Sequence, residues 1–336
     1  MLGAMSVGAQ VNVIRAGRVL ATDVPVKDVK LEWAADRTVP AQLTYKVPKD
    51  WVPVAPLDPM NFYGQRSEVF IIYRIPGVGD VRVALGQYVH TGWKDDGSIT
   101  AVDLMQVLED DPMAWPSSPP AGATVRSELQ RLAGTLPVVL DAGVADGNVP
   151  RTAQWGTSRT EAVLDLAATY DFGVRAGVDG CLHAYPIRDA RTVDVLFTHE
   201  SGALLDSIRE PVSARPPNRW VAVGTINEAK VSVSGTNTQA PFEPDAYGWR
   251  TKRIEVSSAG SKTDVQTALS KAMAEDLVSL KSASIDVVPD GRVEVGDIIG
   301  VVAGDGDTYA GRVRSYSLPV SAVGDSMRID LDILEW

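Results

Sequence analysis

The chain has 336 residues, 45% hydrophobic and 22% charged, which suits about two or three folded domains and excludes a disordered polymer. Cys181 is the only cysteine, so neither a disulfide framework nor a cysteine-based zinc site can form within one chain, and a reducing cytoplasm suits its assembly. The balance of 32 Lys+Arg against 43 Asp+Glu gives a net charge of −11, the wrong sign for a protein that grips duplex DNA. No stretch approaches the roughly 18 apolar residues of a membrane span. The opening "MLGAMSVGAQ" lacks the basic start and long apolar core of a signal peptide.

Strands separated by Gly, Pro and Asp turns dominate the first part of the chain. "VNVIRAGRVLAT" (11–22) reads as two short strands around Ala16-Gly17, and "VKDVKLEWA" (26–34) alternates. "SEVFIIYRI" (67–75), "DVRVALGQYVHTGW" (80–93) and "SITAVDLMQVL" (98–108) follow, so residues 1–112 are expected to form a first β-barrel. "DDPMAWPSSPPAGA" (110–123) has four prolines and no periodicity, the pattern of a linker or extended loop. Beyond it, Val125, Leu129 and Leu132 recur at helical spacing and Gly134 gives a stop. A second helix starts at Ser158, with Glu161 at capping-box spacing and Val163, Leu166 and Ala167 as its stripe. Short strands at 173–186 turn at Asp179-Gly180, making 113–190 an inserted α+β domain. Residues 191–336 are expected to form a second β-barrel domain, with parts of 191–225 completing the first barrel. One helix interrupts it at about 263–283, with Val265, Ala268, Leu269, Ala272, Met273 and Leu277 on one face. The fold class is therefore mainly β with an α+β insertion.

Two distant stretches match. "IIYRIPGVGD" (71–80) and "IIGVVAGDGD" (298–307) share the Ile pair, two glycines and the final Asp. A glycine-bearing strand (Gly86; Gly311), a polar turn (94–98; 323–326) and an alternating strand with Asp-Leu follow each. Asp305 and Asp307, among Gly300, Gly304 and Gly306, suggest a cation loop. Val78 stands where Asp305 would be, however, and calcium takes six to eight oxygen ligands. The shared pattern points to a hairpin turn, in which glycine supplies positive φ and Asp closes the turn.

No constellation of reactive residues stands out, and no catalytic, metal or cofactor-binding residue is assigned. His183 lies two residues from Cys181, a spacing that places both on one strand face without a third, orienting group. The expected arrangement is a small buried Cys beside an exposed His. The other histidines are His90 and His199, and "HESG" (199–202) is too compact for zinc. Carboxylates cluster at "LEDD" (108–111) and "EDL" (275–277), leaving a hydrolase that uses a carboxylate pair as one alternative. Trp93, Trp115 and Trp155 as stacking platforms of a carbohydrate-binding module are another. "WRTKR" (249–253) is a short basic run, read as a solvated strand end.

Three motifs fall in a family order. Trp155, Arg159, Glu161, Ala162, Leu166 and Ala167 fit "W-x-x-x-R-x-E-A-x-x-x-L-A"; Pro217, Asn218, Arg219, Trp220, Val223 and Gly224 fit "P-N-R-V/W-x-V-x-G"; Val295-Gly296-Asp297 fits a strand entry. In these respects the chain resembles the hub proteins of tailed-bacteriophage tails and related injection machines. The resemblance implies two tail-tube-like β-barrels and a small α+β domain. It also implies a non-enzymatic homotrimer that forms a pseudo-sixfold ring at the tail tip, without a cofactor. Its partners would be the tail tube and distal tail proteins, tail fibre or tip proteins, the tape measure protein, and DNA only in transit. Location in the virion tail tip, after assembly in the host cytoplasm, follows from the same resemblance. Host-binding or lytic extensions of such proteins have no counterpart before Trp336, so those activities are expected to reside in other proteins.

Overall fold

The computed structural model describes residues 6–35, 37–188, 192–209, 215–226, 229–256, 261–278, 282–320 and 324–334. Seven strands form the first β-unit: β1 (Ser6–Arg15), β2 (Arg18–Ala21), β3 (Lys27–Ala34), β4 (Ala41–Lys46), β5 (Gln65–Ile75), β6 (Gly79–Trp93) and β7 (Ser98–Val102). Period-2 alternation explains them: β3 buries Val29 and Leu31 between exposed Asp28 and Lys30. β4, absent from the sequence reading, buries Ala41, Leu43 and Tyr45 in the same way.

The chain then builds α1 (Gln106–Asp110), α2 (Val125–Ala133), β8 (Val138–Leu140), α3 (Arg159–Thr169), β9 (Phe172–Ala176) and β10 (Leu182–Pro186). These pack as a small sheet, β8-β10-β9, against α2 and α3. Ser158 caps α3, its side chain accepting the Glu161 N–H. The core of this unit includes Leu104, Met105 and Leu108, so the unit begins before residue 113, the boundary expected from the sequence. The proline-rich segment is not a free linker. Ser117 pairs with Trp155, and Met113 is buried in the same core.

The remaining elements are β11 (Val195–Thr198), β12 (Leu204–Arg209), β13 (Arg219–Ile226), β14 (Ala229–Thr236), α4 (Pro244–Tyr247), β15 (Thr251–Val256), α5 (Lys262–Val278), β16 (Ser282–Val287), β17 (Ile298–Val302), β18 (Thr308–Pro319) and β19 (Met327–Leu334). β13, β14 and β15 form a separate sheet that packs on α5 around Trp220, Ala222, Val265 and Leu269. Residues 219–278 are thus a second inserted unit, where a continuous barrel was expected. The expected helix over 263–283 stops short, because β16 starts at Ser282; residues 279–281 and the side chains of Glu275 and Leu277 lie outside the described residues. So do residues 321–323 of the second polar turn and Trp336.

The two β-units form one 13-stranded sheet. The first runs β2-β1-β5-β6-β7-β4-β3; the second runs β11-β17-β18-β19-β16-β12. β18 joins them, pairing through its C-terminal half with β3, where Leu318 opposes Leu31. One core spans both, from Val11, Leu43 and Ile71 to Ile285, Val313 and Ile329. β11 and β12 belong to the second unit and β13 to neither, so residues 191–225 add no strand to the first.

The matched stretches lie on equivalent strands but out of register, since Ile71 pairs with Val83 well before the β6 bulge at Thr91 and Ile298 pairs with Arg312 next to the β18 bulge at Arg314. The order β5-β6-β7-β4-β3 recurs as β17-β18-β19-β16-β12, every step antiparallel. The register shifts at His90/Gly92 between β6 and β7, and at Val313/Ser315 between β18 and β19. A bulge of this kind re-aims a strand, and its recurrence aligns Thr91 with Arg314 and Trp93 with Tyr316. The second inserted unit occupies the place of the short β3–β4 connection. The turns themselves differ. Gly79 pairs with Ile75 in the first hairpin, whereas Thr308 pairs with Val302 in the second, leaving a loop two residues longer.

Candidate functional site

The "GDGD" loop closes by hydrogen bonding. Asp305 Oδ1 accepts the Asp307 N–H at 2.9 Å, Gly306 N–H donates to Ala303 O at 3.1 Å, and Gly306 has φ 87°. In the first copy Gly77 and Gly79 carry the positive φ, and Val78 projects into solvent. Gly304 has no such φ; a Cβ there would approach the His199 ring to 3.0 Å. Among the described residues no group of three or more His, Cys, Asp or Glu is disposed to hold a metal ion.

His183 has the orienting groups that its sequence neighbourhood did not reveal. Its Nδ1 lies 2.7 Å from Asp141 Oδ1, and its Nε2 lies 3.1 and 3.2 Å from the two Asp179 oxygens. Burial opposes the charged ring, but the two carboxylates outweigh it and raise the His183 pKa above the usual range. Cys181 is half-buried, not buried. Burial first, then its hydrogen bond to Asp179 and that carboxylate's charge, push its pKa up, so the thiol stays protonated. Both imidazole nitrogens face carboxylates, leaving no base for a nucleophile.

His90 is buried among Tyr45, Ser67 and Asn61. Ser67 Oγ lies 2.7 Å from Nε2, Tyr45 Oη 2.8 Å from Ser67 Oγ, and Nδ1 donates to Asn61 O at 2.9 Å. Burial lowers the His90 pKa to about 4. The pair resembles an activated serine, yet Ser67 is inaccessible to solvent, so the network is internal packing.

The family-like motifs are structural clasps. Trp155 Nε1 donates to Glu128 Oε1 at 2.6 Å, and Arg131 donates to both oxygens of that fully buried carboxylate at 2.9 and 2.6 Å. Arg159 donates to the carbonyls of Arg131 and Leu132, satisfying the C-terminal end of α2. Asn218, also inaccessible, donates to Phe242 O and Gly248 O and accepts the Arg250 N–H. Trp220 Nε1 donates to Asp276 Oδ2 at 2.7 Å. Asp297 Oδ2 accepts the Glu294 N–H at 2.8 Å, while burial and nearby acids raise its pKa to about 6. Sequence reasoning missed Glu128: nothing marks a glutamate on a polar helix as buried.

The remaining candidates do not converge. In "LEDD", Leu108 is core, Asp110 accepts from Gln106, and Asp111 pairs with Arg159 at 3.3 Å. Trp155 is buried, Trp93 packs half-buried on the main core, and Trp115 is 81% exposed, so the three do not line one cleft. In "WRTKR", Trp249 stacks under Arg219 and Lys252 pairs with Asp276. A cavity of about 60 Å³ lies where the first inserted unit meets both β-units, lined by Asp103, Arg175, Glu294 and Tyr316 among others. Arg175 bridges it to Glu294 at 2.5 Å, and burial raises the pKa of Asp103 to about 6.

No protein-family model matches the chain, and no curated protein matches it. Solved structures do. The chain is similar to the tail protein from Neisseria meningitidis MC58, with 14% identity and a TM-score of 0.68 over 98% of this chain and 97% of that one. It is similar to the 43 kDa tail protein of prophage MuSo2 from Shewanella oneidensis, with 11% identity and a TM-score of 0.58 over 96% and 98%. Prophage tail protein gp18 from Listeria monocytogenes EGD-e follows, with 12% identity and a TM-score of 0.56 over 96% and 94%. The chain has the fold of these tail proteins along nearly its whole length.

Proposed function

We propose that this chain is a structural protein of a bacteriophage tail, acting in the virion as the hub of its distal end. Whole-length likeness in fold to three tail proteins carries the reading. The internal duplication supports it, because two equivalent β-units per chain make six when three chains meet, matching a sixfold tube. Such a ring joins the tail tube to the tip or fibre proteins and lets DNA pass. The net charge of −11 suits passage, since phosphates bind tightly to Lys and Arg and are repelled by carboxylates. Every motif residue traced above is engaged in holding the fold, which is what a scaffold requires.

Electron cryo-microscopy of intact tails tests this reading. The expected density is a threefold ring of this chain at the distal end, with more Asp and Glu than Lys and Arg on the inner wall. A sixfold ring of the chain, or a basic lumen, would overturn it.

A further inference from the structure

The cavity at the junction of the first inserted unit with the two β-units contains a buried acid without a counter-ion. Asp103 lines it and is only 3% exposed. Its carboxylate is fixed between β7 and α1. Oδ1 accepts the Met105 N–H at 2.7 Å, Oδ2 accepts the Ala41 N–H at 3.1 Å, and the Asp103 N–H donates to Ala41 O. These donors are neutral, and among the described residues no Lys, Arg or His pairs with Asp103. Glu128, the other acid as deeply buried among those residues, has Arg131. A buried carboxylate ordinarily has a cation beside it.

The space next to Asp103 has the features of a seat for one. Neither the Tyr316 hydroxyl nor the Gln87 amide, which line the same cavity, makes a hydrogen bond among the described residues. Burial first, then the charges of Glu294, Asp297 and Asp103, keep the Tyr316 hydroxyl protonated, so it stands within the field of Asp103. Arg175 does not supply the missing charge. Its guanidinium is engaged by Glu294 and lies over the Tyr185 ring. Trp33 and Tyr88 add aromatic wall, a surface that cations tolerate well. A volume of about 60 Å³, roughly that of four waters, fits an ammonium head with its first methylenes and excludes a sugar or nucleotide. Val178, 46% exposed, lines the cavity as Asp103 does, so the space runs from the surface to the buried acid.

We infer that this cleft binds a primary ammonium group, with Asp103 as its counter-ion and Tyr316 and Gln87 as further acceptors. Three N–H donors then meet three oxygen-bearing side chains. One carboxylate with two neutral oxygens falls short of the shell that calcium takes, so a divalent ion suits the site less well. Two sources carry the ammonium chemistry: a free alkylamine, and the lysine side chain of a partner protein. The cavity walls come from the inserted unit and from both β-units, so an occupant ties the three together.

Melting of the full chain in n-butylammonium chloride, compared with tetramethylammonium chloride at equal ionic strength, tests the site. Butylammonium should raise the melting temperature saturably, by about 2 °C at ten times its Kd, and tetramethylammonium, which has no N–H, should not. Hydrogen exchange should slow over residues 175–178 and 291–295 and stay unchanged over 219–226. Asp103→Asn should weaken binding about tenfold or more, and Tyr316→Phe, the fallback if the first variant does not fold, about two- to tenfold. The peptide acetyl-Gly-Lys-Gly-amide, with its Nε-acetylated form as control, separates the sources. A response to the lysine peptide assigns the cleft to a partner's lysine; a response to butylammonium alone assigns it to a free amine. Equal shifts with both salts, no response to any probe, or a butylammonium response that both variants retain would overturn the site.

Discussion

The indole N–H of Trp155 meets the buried carboxylate of Glu128 at 2.6 Å, across the first inserted unit. Arg131 completes the clasp with a two-point contact and in turn donates to Ser117 at 3.2 Å. A charge inaccessible to water is tolerable only with such partners. Glu128→Ala is therefore expected to cost roughly 3–5 kcal/mol, the range for breaking a buried ion pair by removing one member. Denaturant unfolding followed by tryptophan fluorescence checks this; a loss below about 1 kcal/mol would show that water satisfies Trp155 and Arg131 instead.

Asn218 holds the second inserted unit in the same manner with neutral groups. Its three hydrogen bonds tie the start of β13 to the segment around α4. Asn218→Ala leaves two carbonyls and one N–H without their partner, at about 1–3 kcal/mol for each buried group left unsatisfied. The expected outcome is faster hydrogen exchange over residues 237–250, with exchange in β5 and β6 unchanged. Asn218→Asp keeps the acceptor for Arg250 and loses both donors, so it should remain destabilised rather than rescue.

What could be read in advance and what could not divide along physical lines. Alternation placed β3, runs between Gly, Pro and Asp turns placed β5 and β6, and the Ser158 cap placed α3, because these signals are local. "RWVAVGT" and "AKVSVSG" alternate as well as any barrel strand, yet they form a separate sheet; which sheet a strand joins depends on partners far away in sequence. Glu128 meets Trp155 across 27 residues, so no window reveals the clasp. Conversely, the shared Gly-x-Gly-Asp pattern correctly marked both hairpins, although it did not disclose their different loop lengths. His183 was expected to be exposed beside a buried Cys181; the fold instead leaves it half-buried between Asp141 and Asp179, partners that no local window shows.

His90 gives the stability a pH dependence of known sign. The native ring resists protonation down to about pH 4, whereas an unfolded histidine titrates near 6.5. Between these values the unfolded chain binds more protons, so stability falls as the pH is lowered through that window. The contribution is present in full above about pH 6.5 and amounts to roughly 3 kcal/mol at 1.36 kcal/mol per unit. Asp103 and Asp297, both raised to about 6, act in the opposite direction because the native state retains their protons. The stability difference between the wild type and His90→Asn isolates the histidine. It should shrink steadily from pH 6.5 to 4 in urea titrations, and a constant difference would contradict a neutral buried ring.

The "GDGD" loop should be indifferent to divalent cations. Asp305 spends its carboxylate on the Asp307 N–H, and two carboxylates fall short of the oxygen shell calcium takes. Calcium or a chelator is expected to leave the melting temperature unchanged in the wild type and in Asp305→Asn. A rise of several degrees with calcium, abolished by the substitution, would make the loop a cation site.

Arg175 fixes the first inserted unit to the second β-unit. Its guanidinium pairs with Glu294, donates to Val295 O at 3.4 Å, and lies 4.9 Å from the Tyr185 ring centroid. The ion pair is half open to solvent on the Glu294 side, so its Coulombic part is discounted to at most about 1 kcal/mol. The cation–π contact adds about 0.5–1 kcal/mol. Arg175→Ala should accordingly cost about 1–2 kcal/mol, and Glu294→Gln less, because it leaves the aromatic contact in place. A double-mutant cycle separates the two parts. A coupling energy near zero, with most of the Arg175→Ala loss remaining in the Glu294→Gln background, would show that Arg175 contributes through its stack on Tyr185 inside the inserted unit and that its charge does not hold the unit to the second β-unit.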